Sequence, residues 1–82
     1  MIEETLTERS NRYGDFKGNA TISQNIKEAM KVSPRWGDLP PEMKEALEMT
    51  AHKIGRILNG DPFYKDSWHD IIGYITLIEK DL

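Results

Sequence analysis

At 82 residues, with 38% hydrophobic and 30% charged side chains, the chain is long enough for one folded domain and too apolar for disorder. It has no cysteine, which excludes a disulfide framework and a thiolate metal site, so packing or self-association must supply the stability that so small a chain lacks. The net charge of −3 argues against non-specific nucleic-acid binding, and no apolar run approaches the ~20 residues of a membrane span.

The opening Met1-Ile2-Glu3-Glu4 is acidic where a secretory leader is basic, so a cytoplasmic location is expected. Ile2, Leu6 and Tyr13 stand roughly in line at helical spacing, which predicts a short helix over residues 2 to 12 stopped at Gly14. Arg9, Arg12 and Lys17 read as a solvated basic face. Gly14 to Asn19 reads as a loop, with Tyr13 and Phe16 available to plug the core. Thr21 and Gln24 have the spacing of a capping box, and Ile22, Ile26, Ala29 and Met30 follow as an apolar stripe, predicting a helix over 22–32. Ser33-Pro34 ends it, and Trp36 is expected to pack under the connection that follows.

Pro40 and Pro41 suit a first helical turn, and Asn59-Gly60-Asp61-Pro62 stops the long helix they begin. Met43, Leu47, Thr50, Ala51, Ile54 and Leu58 form its expected buried face, with Glu45, Glu48, His52, Lys53 and Arg56 outside that arc. The last helix starts near Asp66 or Ser67 and runs almost to Leu82, with Trp68, Ile71, Ile72, Ile75, Ile78 and Leu82 toward the core. Gly73 and Leu77 fall on its outer face, where a second subunit or another helix is expected. The fold class is therefore all-α, a small bundle of three main helices plus a short N-terminal one, assembled as a homo-oligomer.

The candidate chemistry gathers between residues 45 and 74. Asp66 and Asp70, four apart, share a helix face and are candidate ligands for a hard cation such as Mg2+, yet both also suit helix capping. Glu45 and Glu48 are the candidates to complete such a site, against a plain solvated stripe. Glu48 and His52 are placed for a surface pair at i and i+4. Lys53, Arg56 and Tyr74 are candidate substrate-binding residues, with the two basic groups suited to phosphate oxygens or, alternatively, to structural pairing with Asp66 and Asp70. No phosphate-cradling glycine motif and no nucleophile–base–acid grouping occurs.

The set Arg9, Tyr13-Gly14, Lys53-Ile54-x-Arg56 and Asp66-x-x-x-Asp70-Ile71-Ile72-Gly73-Tyr74 resembles small phage and prophage proteins of unassigned function. More distantly it is similar to the all-α nucleoside triphosphate pyrophosphatases of the MazG kind. That likeness implies magnesium held by paired acidic motifs on two helices, with Glu45-x-x-Glu48 standing for one pair and Asp66 or Asp70 for part of the other. Ser67 occupies a position where that pattern has an acid. The expected function is a phage-type accessory protein that binds or hydrolyses nucleotides with a divalent cation. The competing expectation is a non-catalytic helical module that self-associates and binds a host or phage protein. The break at residues 59–62 also predicts Asp70 within ion-pair reach of Lys53 or Arg56.

Overall fold

The computed structural model describes residues 2–82 as an all-α bundle. The helices are α1 (Ile2–Tyr13), α2 (Phe16–Lys31), α3 (Pro41–Asn59) and α4 (Lys65–Glu79), with one turn of 3-10 helix at Trp36–Asp38. α2 and α4 both pack on α3, which is the central element, whereas α1 touches α2 and α3 only lightly and has no buried residue. Three main helices and a shorter N-terminal one are thus present, as the periodicity predicts.

α2 starts at Phe16 instead of residue 22. Gly14 turns the chain with φ 76°, a conformation that side chains with a Cβ rarely adopt, and Asp15 at φ −76° and ψ 152° then serves as the N-cap residue. Thr21 is therefore inside the helix and caps nothing: its Oγ1 donates to the carbonyl of Lys17 at 2.8 Å. Phe16, expected to plug the core, is exposed, while Trp36 is half-buried at its connection.

On α3 the two prolines begin the helix as expected, with Pro40 as N-cap and Pro41 as its first residue. Of the expected stripe Ala51 is buried and Met43, Thr50 and Ile54 are half-buried, while the other buried residues are Ala46, Lys53, Gly55 and Ile57. Leu58 is exposed, and Leu47 retains 36% of its surface. The reason is geometric. α2 and α4 each pack on α3 and cover only part of its circumference, which leaves Leu47 and Leu58 open. Small residues permit the close approach on the α2 side, where a Cβ at Gly55 would overlap the Asn19 side chain and contact Ser23.

α4 shows the same shift. Only Ser67 is buried, Ile71 and Ile78 are half-buried, and Trp68, Ile72, Ile75 and Leu82, expected in the core, are exposed. The Trp68 indole N–H donates to the carbonyl of Pro62 at 2.8 Å, which holds the ring over the loop instead of beneath the helix. Among the described residues no helix is long and apolar enough to cross a membrane.

Candidate functional site

The site begins with an interlock between the ends of α1 and α3. The last turn of a helix leaves carbonyls without partners, and here the other chain segment supplies them. Asn59 Nδ2 donates to the carbonyls of Tyr13 at 2.9 Å and Asp15 at 2.8 Å, and the Asp61 amide donates to the carbonyl of Arg12 at 2.6 Å. A Cβ on Gly60 would overlap the backbone of Arg12 and Tyr13, and one on Gly14 would overlap Asn59. Tyr13-Gly14 and Asn59-Gly60 are thus one structural device, which ties the N-terminal helix to the end of α3.

Aromatic rings and guanidinium groups extend that device. Arg56 lies with its guanidinium carbon 4.3 Å from the Tyr13 ring centre, and Tyr13 meets Tyr64 edge-on at 6.0 Å between centroids. Arg12 sits over the other ring, 4.9 Å from the Tyr64 centroid, and its Nη1 donates to the Tyr64 hydroxyl at 3.3 Å. The hydroxyl in turn donates to Asp66 Oδ2 at 3.0 Å, and that bond raises the Tyr64 pKa above its usual value.

Asp66 and Asp70 do not cap α4. The N-cap is Tyr64, without a side-chain bond to the helix end, and the two carboxylates point to different partners. Asp70 Oδ2 lies 2.8 Å from Nζ of Lys53, in line with the expectation from the short interhelical break. The hydrogen bond and charge of Lys53 hold the Asp70 carboxyl below its ordinary pKa, against a smaller opposing effect of desolvation. Lys53, expected on the wet face, is buried along its stem, with its ammonium delivered to α4.

This arrangement separates the two basic groups that were expected to act together. Lys53 serves Asp70, while Arg56 turns toward α1. Glu48 and His52 form no ion pair, and among the described residues no three acidic or histidine side chains gather at a distance suited to a metal ion. Glu45, Glu48, Asp66 and Asp70 are therefore not brought together within one chain. Tyr74 is half-buried beside Asp70 along a shallow surface that also includes Gly73 and Leu77.

The concave feature with convergent polar groups is a cleft of about 520 Å³ between α1, α2 and α3. Arg9, Tyr13, Phe16, Asn19, His52 and Arg56 are among its lining residues. Arg9 and Tyr13 reach it from successive turns of α1, and His52 and Arg56 from successive turns of α3, each pair at i and i+4. Burial first, then the charges of Arg56, Lys53 and Lys27, push the His52 pKa below its ordinary value.

Two polar atoms at this cleft lack partners. Asn19 is 4% exposed and its Oδ1 accepts no hydrogen bond, and the buried Nε of Arg56 donates none. Asn19 Oδ1 is enclosed against Gly55, so it belongs to the α2–α3 packing and not to the open part of the cleft. Of the sequence-level candidates only Arg56 lies here. The sequence assigns Arg9 to a solvated basic face, Tyr13 to the core and Asn19 to a loop, so their convergence on one cleft is not visible from spacing. Comparison with protein-family models, with curated proteins and with solved structures finds no match to this chain.

Proposed function

We propose that the chain is a small phage-type accessory protein that binds a nucleotide or a closely related phosphorylated molecule in the cleft between α1, α2 and α3. The observation that carries this reading is that Arg9 of α1 and Arg56 of α3 line the same cleft. A volume of about 520 Å³ lies within the range of about 300–1,000 Å³ that small-molecule sites occupy. Guanidinium groups bind phosphate oxygens with charge-assisted, often bidentate, hydrogen bonds. Phe16, 82% exposed at the cleft, offers a ring on which a base can stack. The His52 ring nitrogens offer a further hydrogen-bonding group at the cleft.

The acidic residues do not fit a resident magnesium ion within one chain, because Asp70 is held by Lys53, Asp66 accepts from Tyr64, and among the described residues no three acidic or histidine side chains gather. Binding is accordingly favoured over hydrolysis, and a divalent cation enters this reading only as the counterion that a triphosphate brings with it. Melting curves with a nucleoside triphosphate, with the unphosphorylated nucleoside and with inorganic phosphate test the proposal. At 100 times Kd the triphosphate adds about 2.7 kcal/mol, which in a domain of this size raises Tm by roughly 10 °C or more. Equal curves with and without millimolar triphosphate would overturn it.

The second reading, a helical module that binds a host or phage protein, is favoured by the open strip at Gly73, where a Cβ would have no neighbour within 4 Å, beside exposed Leu77. Leu77→Glu would abolish capture of such a protein and leave nucleotide binding intact.

A further inference from the structure

We infer that the open apolar face formed by α3 and α4 is the interface with a second copy of this chain. The described residues bury only three apolar side chains, Ala46, Ala51 and Ile57, and no large side chain is fully enclosed. The missing core is on the outside. Trp68, Ile72 and Ile75 of α4 are 54%, 62% and 43% exposed, Leu82 just beyond the helix is 87% exposed, and Leu47 of α3 lines the same groove as Ile75 and Leu82. Positions 68, 72 and 75 follow the four- and three-residue steps of a helix seam, which Glu79 ends in the last turn of α4. Beside that seam an apolar groove of about 260 Å³ runs between the start of α3 and the end of α4, with Met43, Leu47, Ile75 and Leu82 in its walls.

The area fits one partner of the same kind. The chain exposes 5991 Å², whereas a compact monomer of 9.5 kDa exposes about 5,050 Å². The excess of roughly 900 Å² compares with the ~800 Å² that each partner contributes to a standard specific interface. The radius of gyration, 14.2 Å, likewise exceeds the ~12 Å of a compact chain of this length. Projecting α1 accounts for part of both differences, but the contiguous large apolar side chains are on α3 and α4. A face of this sort that meets its own copy about a two-fold axis closes on itself. None of its residues lines the cleft at Arg9 and Arg56, so this inference stands or falls independently of nucleotide binding.

Sedimentation equilibrium of the whole chain at micromolar concentration tests it, with an expected mass of twice 9.5 kDa. Ile72→Glu should weaken the dimer at least a hundredfold, whereas Leu77→Glu, on the other flank of α4, should leave it unchanged. Because loss of the dimer can also unfold the protomer, a second measurement uses the absence of cysteine: the single variants Ile72→Cys and Leu77→Cys are oxidised or spin-labelled in the otherwise native chain. The dimer predicts crosslinking or short label distances for Ile72→Cys and neither for Leu77→Cys. A monomeric wild type, a larger assembly, crosslinking through Leu77→Cys instead, or an apolar face that takes up only a foreign protein would each overturn the inference.

Discussion

Nζ of Lys53 meets Oδ2 of Asp70 at 2.8 Å, joining the middle of α3 to the second turn of α4 with a nearly buried cation and a half-exposed anion. The asymmetry matters. Asp70 keeps 43% of its side-chain surface, so the large penalty attached to fully buried pairs does not apply, while the Lys53 side chain, at 10%, depends on its partner. Asp70→Asn should therefore lower Tm more than the double change Lys53→Met with Asp70→Asn, because the single variant strands a charge and the double variant removes it. Thermal unfolding of the two variants measures the order, and a double variant less stable than Asp70→Asn would contradict it.

The pH dependence follows from two depressed pKa values. For Asp70 the folded state binds its proton less readily than the unfolded chain, so the ion pair contributes fully above the ordinary carboxylate pKa near 3.8 and is lost as pH falls through the lower folded value. For His52 the folded pKa is also lowered, so stability holds above 6.5 and declines as pH falls below it, where the unfolded chain takes up a proton first. Denaturant midpoints between pH 7 and 5 should fall for the native chain and flatten in His52→Gln. Lys53→Met should flatten the separate acid limb below pH 4.

Asn59→Ala removes both donors that hold Tyr13 and Asp15. Two lost hydrogen bonds at about 0.5–1.5 kcal/mol each predict a cost of ~1–3 kcal/mol. The effect should be local, with hydrogen exchange rising first in α1, which has few other contacts. Uniform acceleration across all four helices would contradict the interlock.

The two glycines in α1–α2 and α4 should respond in opposite directions. Gly14→Ala places a Cβ at φ 76° and against Asn59, for a loss of about 1–2 kcal/mol or more. Gly73→Ala meets nothing within 4 Å in a helix interior, so it should add ~0.5–1 kcal/mol. A drop in Tm for Gly73→Ala would instead reveal a helix packed on that face.

Arg56→Gln removes a charged donor from the cleft and the cation over Tyr13. Charge-assisted hydrogen bonds of about 1.5–3 kcal/mol predict roughly a 10- to 100-fold rise in nucleotide Kd. Isothermal titration of this variant beside Lys53→Gln separates the two basic residues, since only Arg56 lines the cleft. Equal weakening by both would return Lys53 to the site.

Sequence periodicity and punctuation by themselves determined four helices, their stops at Gly14, Ser33-Pro34 and Asn59-Gly60, and an antiparallel α3–α4 pair close enough to join Lys53 to Asp70. These features are local or follow from a short connection, so neighbouring residues suffice to specify them. Only the tertiary structure decided where α2 begins, because Gly14 takes its turn against Asn59, 45 residues away. The same holds for the buried faces. Helical spacing reports that Leu47, Leu58, Trp68 and Ile72 lie on apolar stripes, but not which neighbour covers them, and here α2 and α4 each pack on α3 and cover only part of its circumference, with Gly55 against Asn19 and Ser23 on the α2 side. The cleft, too, depends on placement: Arg9 and Arg56 are far apart in the chain, and they line one cavity only because Asn59 and Asp61 fasten α1 beside α3.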